Sequence, residues 1–383
     1  MRLEAPWLAD PGTRAVMGAL GAGGARAWFV GGPVRDGLLG LRVEDIDIAT
    51  DVPPDRVLAI AAEAGLRAVP TGLAHGTVTL IAGHRPFEVT TLRRDVATDG
   101  RRATVAFTDR LEEDAARRDF TMNALYATAE GTVLDPTGEG RADLAARRVR
   151  FIGDPHARIA EDYLRILRFF RFHAWYAGGT GFDAGGLAAC AEMARGLERL
   201  SRERVGAEML KLLAAPDPAP AIATMAVSGV LGHILPGAEP RVLTVLTELE
   251  GDLPPDAIRR LAALGGEDVA DRLRLSRAQS KRLAALRGAM ADTMPAGEMG
   301  YRLGLEGARD ALLLRASLFG TSPVPEELAA AARGAEARFP LRAADLQGLR
   351  GPALGAELDR LEALWIDSGF ALTKADLLGA GPS

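Results

Sequence analysis

The chain has 383 residues, of which 48% are hydrophobic and 25% charged, with a formal net charge of −5; this is an ordinary globular composition, long enough for two or more domains. The single cysteine, Cys190, excludes an intramolecular disulfide and a cysteine-based zinc site and fits a reducing cytoplasm. No apolar run nears ~18 residues, and the first residues lack a basic leader ahead of an apolar core, so neither a membrane span nor a signal peptide is expected.

In chain order, Ala15–Leu20 reads as helix and "AWFV" (27–30) as a strand ending at Gly31-Gly32. Glycines after a strand let backbone N–H groups approach a phosphate with no Cβ in the way, and Arg35 would add a guanidinium fork. The spacing is neither a Walker A loop nor a dinucleotide fingerprint, and a plain tight turn fits equally well. "VRDGLLG" can open a short helix. In "DIDIA" the alternation puts Ile46 and Ile48 on one strand face and Asp45 and Asp47 on the other. Two carboxylates forced into one space repel, and a divalent cation of the Mg²⁺ type would remove the conflict.

A capped helix is expected over Asp55–Gly65, then two strands, Gly76–Ile81 and Phe87–Leu92. With Phe87 and Val89 in the core, Glu88 faces the other way and is the candidate third carboxylate. "RRDFTMNAL" offers Arg118 for a phosphate and Asp119 and Asn123 for sugar hydroxyls; a helix cap with surface arginines is the plainer alternative. Beyond about Asp154 strand signals fade, and amphipathic helices separated by Pro and Gly breaks take over. In "EDYLRILRFFR" Asp162 and Arg165 are three apart, adjacent on one helix face, with Arg168 and Arg171 following. A carboxylate beside a guanidinium fits the Watson–Crick edges of cytosine and adenine and clashes with guanine and uracil. An i,i+3 salt bridge is the ordinary alternative.

Only three lysines occur (Lys211, Lys281 and Lys374), so the cationic chemistry is guanidinium chemistry. Between Asp271 and Arg287 six basic residues face one acid, and Arg272, Arg274, Arg277, Lys281 and Arg282 are candidate RNA-backbone contacts; a solvated face fits as well.

Taken in order across Val30–Leu213, "VGGPVRDGLLG…EDIDIAT", "TGLAHGTVTL", "FEVTTLRRD", "RRDFTMNAL", "DPTGEGRADL", "RIAEDYLRILRFFRF" and "SRERVGAEMLKLL" resemble the class II tRNA nucleotidyltransferases (CCA-adding enzymes) and their bacterial poly(A) polymerase relatives. The resemblance implies an α+β fold: an N-terminal polymerase-β-like nucleotidyltransferase head (small mixed sheet with helices) followed by an all-α neck, body and tail. The expected divisions are 1–145 for the head, 146–215 for the neck with base recognition, 216–335 for the body and 336–383 for a tRNA-binding tail. By motif position it implies Asp45 and Asp47 as Mg²⁺ ligands and Glu88 as the third carboxylate. It further implies Gly31, Gly32, Arg35, Arg118, Asp119 and Asn123 at the nucleotide, and Asp162 with Arg165 reading its base beside Arg168 and Arg171. The implied reaction adds C, C and A to a tRNA 3′ end from CTP and ATP in the cytoplasm, with no protein partner inferred. The segment Arg93–Asp114 matches the flexible loop of full CCA enzymes. Pro33 departs from the small residue usual there. A poly(A) polymerase extending RNA with ATP and, more remotely, a non-catalytic RNA-binding module are the alternatives.

Overall fold

The computed structural model describes residues 1–99, 102–291, 293–346 and 348–380. Contacts divide it into two units: Met1–Glu208 with Val227–Ile234, and Met209–Ala226 with Leu235–Ser383. Among the described residues no helix is long and apolar enough to cross a membrane.

The first unit opens with α1 (Pro11–Ala22), capped by the Asp10 carboxylate, which accepts from the N–H groups of Gly12 and Thr13. There follow β1 (Ala27–Val30), α2 (Gly32–Leu38), β2 (Asp47–Thr50), α3 (Pro54–Glu63), β3 (Arg67–Gly72), β4 (Thr77–Ala82) and β5 (Arg85–Thr91). A separate hairpin pairs β6 (Arg93–Asp99) with β7 (Arg102–Phe107). Then come α4 (Leu111–Ala116), β8 (Tyr126–Ala127), β9 (Val133–Leu134) and α5 (Gly140–Ala145). The main sheet runs β3-β4-β5-β2-β1-β8-β9. Of its pairs only β2–β5 is parallel.

The expected elements form close to where the pattern puts them. The alternation in β5 buries Phe87 and Val89 completely, while Glu88 stays exposed on the other face. Ile46 and Ile48 are buried as expected. β2, however, begins only at Asp47, so Asp45 stands ahead of the ladder rather than within it. β3 carries no clear strand signal because Pro70 interrupts it; it survives at the sheet edge, with a register shift between Val69 and Gly72.

Helices alone follow: α6 (Pro155–Glu161), α7 (Leu164–Tyr176), α8 (Ala184–Glu192) and α9 (Arg202–Leu213). α7 docks through an aromatic cluster. Phe120 lies 5.0 Å from Phe151 and 4.9 Å from Phe172 between ring centroids, and Phe151 stacks on Phe169 at 5.3 Å. Such rings bury large apolar areas in preferred tilted and offset geometries. α10 (Ala219–Val227) and α11 (Val230–Ile234) come next.

Among the described residues the second unit forms helices but no strands: the end of α9 and most of α10 belong to it, followed by α12 (Pro240–Leu249), α13 (Ala257–Leu264), α14 (Val269–Arg272), α15 (Arg277–Ala291), α16 (Ala296–Phe319), α17 (Pro325–Glu336), α18 (Pro352–Asp367) and α19 (Lys374–Gly379). Its interior holds an ionic cluster. Arg259 donates to Glu250 at 2.7 Å and to Asp310 at 2.9 Å, and Arg260 donates to Glu250 at 2.8 Å and to the Leu213 carbonyl at 2.7 Å. All four charged side chains are buried. A second core gathers Leu341, Leu361, Trp365, Ile366 and Leu377.

Candidate active site

The parallel pairing of β2 with β5 sets Asp47 directly opposite Glu88. Residues opposed in one register project to the same sheet face, so two carboxylates share one space, with Asp45 entering from just before β2. Asp47 registers the crowding: burial first, then the charges of Glu88 and Asp45, push its carboxyl up to about 6, against a downward pull from Arg118. Among the described residues no three His, Cys, Asp or Glu side chains close to metal-binding distance of one another. The donor set is nevertheless all oxygen and mutually repulsive, which is the chemistry that suits a hard divalent cation.

The glycine turn lies between β1 and α2. Gly31 caps α2 with φ +71°, a conformation that a side chain resists. A Cβ there would also come within 3.4 Å of Arg118 Nη1. Pro33 sits in the first turn of α2, where its missing N–H breaks no helix bond. Arg118 therefore spans the turn and the carboxylates. It is held from behind: Nε and Nη2 donate to Asp114 Oδ2 at 3.2 and 2.9 Å, and its guanidinium stacks on the Tyr126 ring.

Arg35 differs from the free fork read in the sequence. It is 6% exposed, pairs with Asp36 at 2.8 Å, and donates to Asn123 Oδ1 and, at 2.7 Å, to the Tyr176 hydroxyl. Its charge also stacks 4.0 Å from the Tyr176 ring. Asn123 in turn donates to Asp119 at 3.0 Å, and Asp119 accepts from Arg168 at 2.8 Å. Burial opposes the Asp119 charge, but Arg168, Asn123 and the Phe120 N–H hold its carboxyl below the usual range. Arg35, Asn123, Asp119 and Arg168 thus form one continuous polar chain behind the glycine turn. Asp119 and Asn123 spend hydrogen bonds on this chain that the sequence reading assigned to a sugar. Arg171 continues the polar surface by donating to Glu208 at 2.6 Å.

Asp162 and Arg165 require a correction. They do not share a helix face, because the chain breaks between α6 and α7 and Asp162 is extended (φ −156°, ψ 107°). Asp162 turns its carboxylate onto the N–H of Leu164, the first residue of α7, at 3.1 Å, and it pairs with Arg204 at 2.6 Å. Arg165 pairs with Glu161 instead, and donates to the Arg158 carbonyl at 2.8 Å and the Arg117 carbonyl at 3.3 Å. A short polar side chain ahead of a helix competes for backbone N–H groups, and that local preference wins over the i,i+3 pair. Arg158 also donates to the Arg118 carbonyl at 2.8 Å, so the helix break clamps the segment carrying Arg118 and Asp119.

Gly32 is open, with nothing nearer to a Cβ there than Arg35 Nη2 at 3.9 Å. The segment Arg93–Asp114 is the β6–β7 hairpin followed by the start of α4; Gly100 and Arg101 lie outside the described residues. Of the basic candidates in the second unit, Arg282 is committed to Asp256 and Asp310, both at 2.7 Å, and Arg274 to Asp271 at 2.9 Å. Arg277 and Lys281 are exposed on the first turns of α15, and Arg272 is half-buried.

Residues 27–150 match a family described as "Poly A polymerase head domain", and residues 185–241 match one described as "Probable RNA and SrmB- binding site of polymerase A". The chain is 46% identical over 187 residues to the mitochondrial CCA tRNA nucleotidyltransferase 1 of Danio rerio, a match covering 48% of this chain and 43% of that protein. It is 38% identical over 281 residues to the CCA-adding enzyme of Streptococcus gordonii, covering 70% of this chain and 68% of that one. The matched stretch thus spans under half the length of the vertebrate relative. Among solved structures, the Bacillus stearothermophilus CCA-adding enzyme in complex with CTP superposes with a TM-score of 0.79 at 29% identity, covering 95% of this chain and 94% of that one.

Proposed function

The chain belongs to the CCA-adding enzyme family, and from that premise we propose that it adds C, C and A to the 3′ end of tRNA from CTP and ATP without a nucleic-acid template, releasing pyrophosphate. The observation that carries this reading is the β2–β5 register, which opposes Asp47 and Glu88 with Asp45 and Arg118 close enough to shift the Asp47 carboxyl.

Asp45 and Asp47, with Glu88, are the residues that would hold a pair of Mg²⁺ ions. When bound, such ions acidify the attacking hydroxyl and hold the triphosphate. The protein's own share is positioning and charge. Gly31 keeps the turn open, Gly32 leaves space beside it, and Arg118 presents a cation to the nucleotide phosphates. Arg35, Asn123, Asp119 and Arg168 act as one scaffold that fixes the turn against α7. Asp162 and Arg165, freed from Arg204 and Glu161 when a nucleotide arrives, would present an acceptor beside a donor to the base, with Arg168 and Arg171 bordering it. That exchange of partners lets C and A in and leaves G and U with clashing edges.

We assign 1–145 to the head, 146–215 to the neck, 216–335 to the body and 336–383 to a tRNA-binding tail, with the enzyme in the cytoplasm. Support for the first division comes from the strands, the last of which ends at Leu134. Arg272, Arg277 and Lys281 are the RNA-backbone candidates; Arg274 and Arg282 act first through their acids. The test is incubation with tRNA lacking its 3′ end, Mg²⁺ and each nucleoside triphosphate singly. Incorporation from CTP, then from ATP once CC is present, is expected. Extension with ATP alone on generic RNA would replace this reading with poly(A) synthesis.

A further inference from the structure

Asp114 is not among the residues assigned to metal, nucleotide or RNA. It lies on α4 and is 2% exposed. Its Oδ1 accepts from the Arg93 backbone N–H at 3.3 Å and from Arg117 Nε at 3.0 Å. Its Oδ2 accepts from Arg118 Nε and Nη2 at 3.2 and 2.9 Å, and from the Tyr126 hydroxyl at 2.7 Å. A carboxylate this buried costs several kcal/mol unless its lone pairs are filled and opposite charge lies beside it, and both conditions are met.

Two of these partners lead outward. Arg118 turns its Nη1 to Gly31 and lies near enough to Asp47 to lower its carboxyl. Without a counter-charge behind it, that guanidinium would be drawn toward Asp47. Arg93 is the first residue of β6, and its side chain donates to the His75 carbonyl. At the other foot of the hairpin, Phe107 lies where a Cβ on Gly76 would meet it at 2.9 Å. One carboxylate therefore joins the root of the hairpin to the cation that faces the nucleotide turn.

We propose that Asp114 is a positioning residue for nucleotidyl transfer: it holds Arg118 toward the Gly31 turn and fastens that arginine to the root of the β6–β7 hairpin, so that nucleotide binding and hairpin placement are set together. The proposal rests on the nucleotidyl-transfer reading above.

The experiment compares the full-length wild type with Asp114→Asn, Arg118→Ala and the double variant. Steady-state kinetics for CTP and ATP are measured alongside tryptic cleavage between Arg93 and Phe107. Asp114→Asn keeps the shape and removes the charge. It is expected to raise KM for both nucleotides by about 10-fold or more with kcat within about threefold, the pattern of lost binding that is equal in ground and transition states. The double variant should show the KM of Arg118→Ala alone, because Asp114 acts through Arg118. Hairpin cleavage should accelerate in Asp114→Asn while the rest of the chain is cut at the wild-type rate. Tyr126→Phe, which removes the hydroxyl's bonds to Asp114 and from Arg118 but spares the ion pair, should shift KM by only about twofold, and it serves if the asparagine variant does not fold. Additive KM effects, hairpin cleavage at the wild-type rate, or a KM in Tyr126→Phe raised as far as in Arg118→Ala would overturn the proposal. A wild type inert toward every nucleotide would overturn the nucleotidyl-transfer reading instead, and hairpin cleavage would still test the Asp114 link.

Discussion

Asp47 carries a charge that the fold resists. Its carboxyl, raised to about 6 from an ordinary 3.8, binds a proton more tightly folded than unfolded. The stabilisation this gives is fully present below about pH 3.8 and is lost as pH rises through about 6. At neutral pH without a cation the ionised group is a liability, on the order of 1–2 kcal/mol once its partial exposure is discounted. Asp47→Asn should therefore abolish nucleotide incorporation yet raise the melting temperature in EDTA at pH 7 by a few degrees. The gap between variant and wild type should close toward pH 4, and thermal melts across that range check it. Arg35 makes the opposite prediction. Its fork satisfies Asp36, Asn123 and Tyr176 at once, which a lysine cannot do. Arg35→Lys should lower stability by ~2 kcal/mol in urea unfolding along with activity. A lysine that held the melting point and impaired only nucleotide affinity would restore the free phosphate fork. Here lies the limit of what the sequence discloses at this scale. Glu88 could be placed because alternation fixes faces. Arg35 and Asp162 could be named but not paired, because Tyr176 and Arg204 reach them from 141 and 42 residues away with no local signal. Asp114 did leave a signal, the i,i+4 spacing to Arg118, which passes for a routine helix pair until the burial is known.

Elements were legible where one physical rule acted alone. β4 and β5 follow their alternation, β1 is a continuous apolar run buried at three successive residues, and α3 ends just before Gly65, which takes φ +67°. The helix expected from Glu161 to Arg171 is in fact α6, a break and α7, because the Asp162 carboxylate takes a backbone N–H for itself. β3 was hidden by Pro70. Glycines show how much context matters at this scale. α16 and α17 pack so closely that a Cβ on Gly334 would fall inside the contact radius of the Gly297 carbonyl, whereas a Cβ on Gly18 in α1 meets nothing within 4 Å. Gly334→Ala should therefore destabilise the second unit by ~2 kcal/mol or more through overpacking. Gly18→Ala should stabilise the first by up to ~1 kcal/mol by lowering unfolded-chain entropy. Denaturant titration of the two variants should give shifts of opposite sign, and equal signs would contradict the packing described here.

At the scale of the molecule, a net charge of −5 argues against a generalised attraction to RNA, so affinity must come from local cations. In the second unit the exposed ones at the start of α15, Arg277 and Lys281, differ from Arg282, whose acids already hold it. Reversing both Arg277 and Lys281 to Glu should weaken tRNA binding and make its salt dependence shallower by about two counterions. Arg282→Ala should chiefly lower stability. The change from strands to helices was readable from where strand signals stop near Asp154; the boundary between the two units, at Glu208, was not. The ionic cluster of Glu250, Arg259, Arg260 and Asp310 was not, since its members come from separate helices and turns. The most direct test of the central claim is to sequence the 3′ ends made on tRNA lacking CCA with Mg²⁺ and all four triphosphates present. Ends that read CCA and stop there, with none formed by Asp47→Asn, are the predicted result; tails of A, or ends containing G and U, would contradict it.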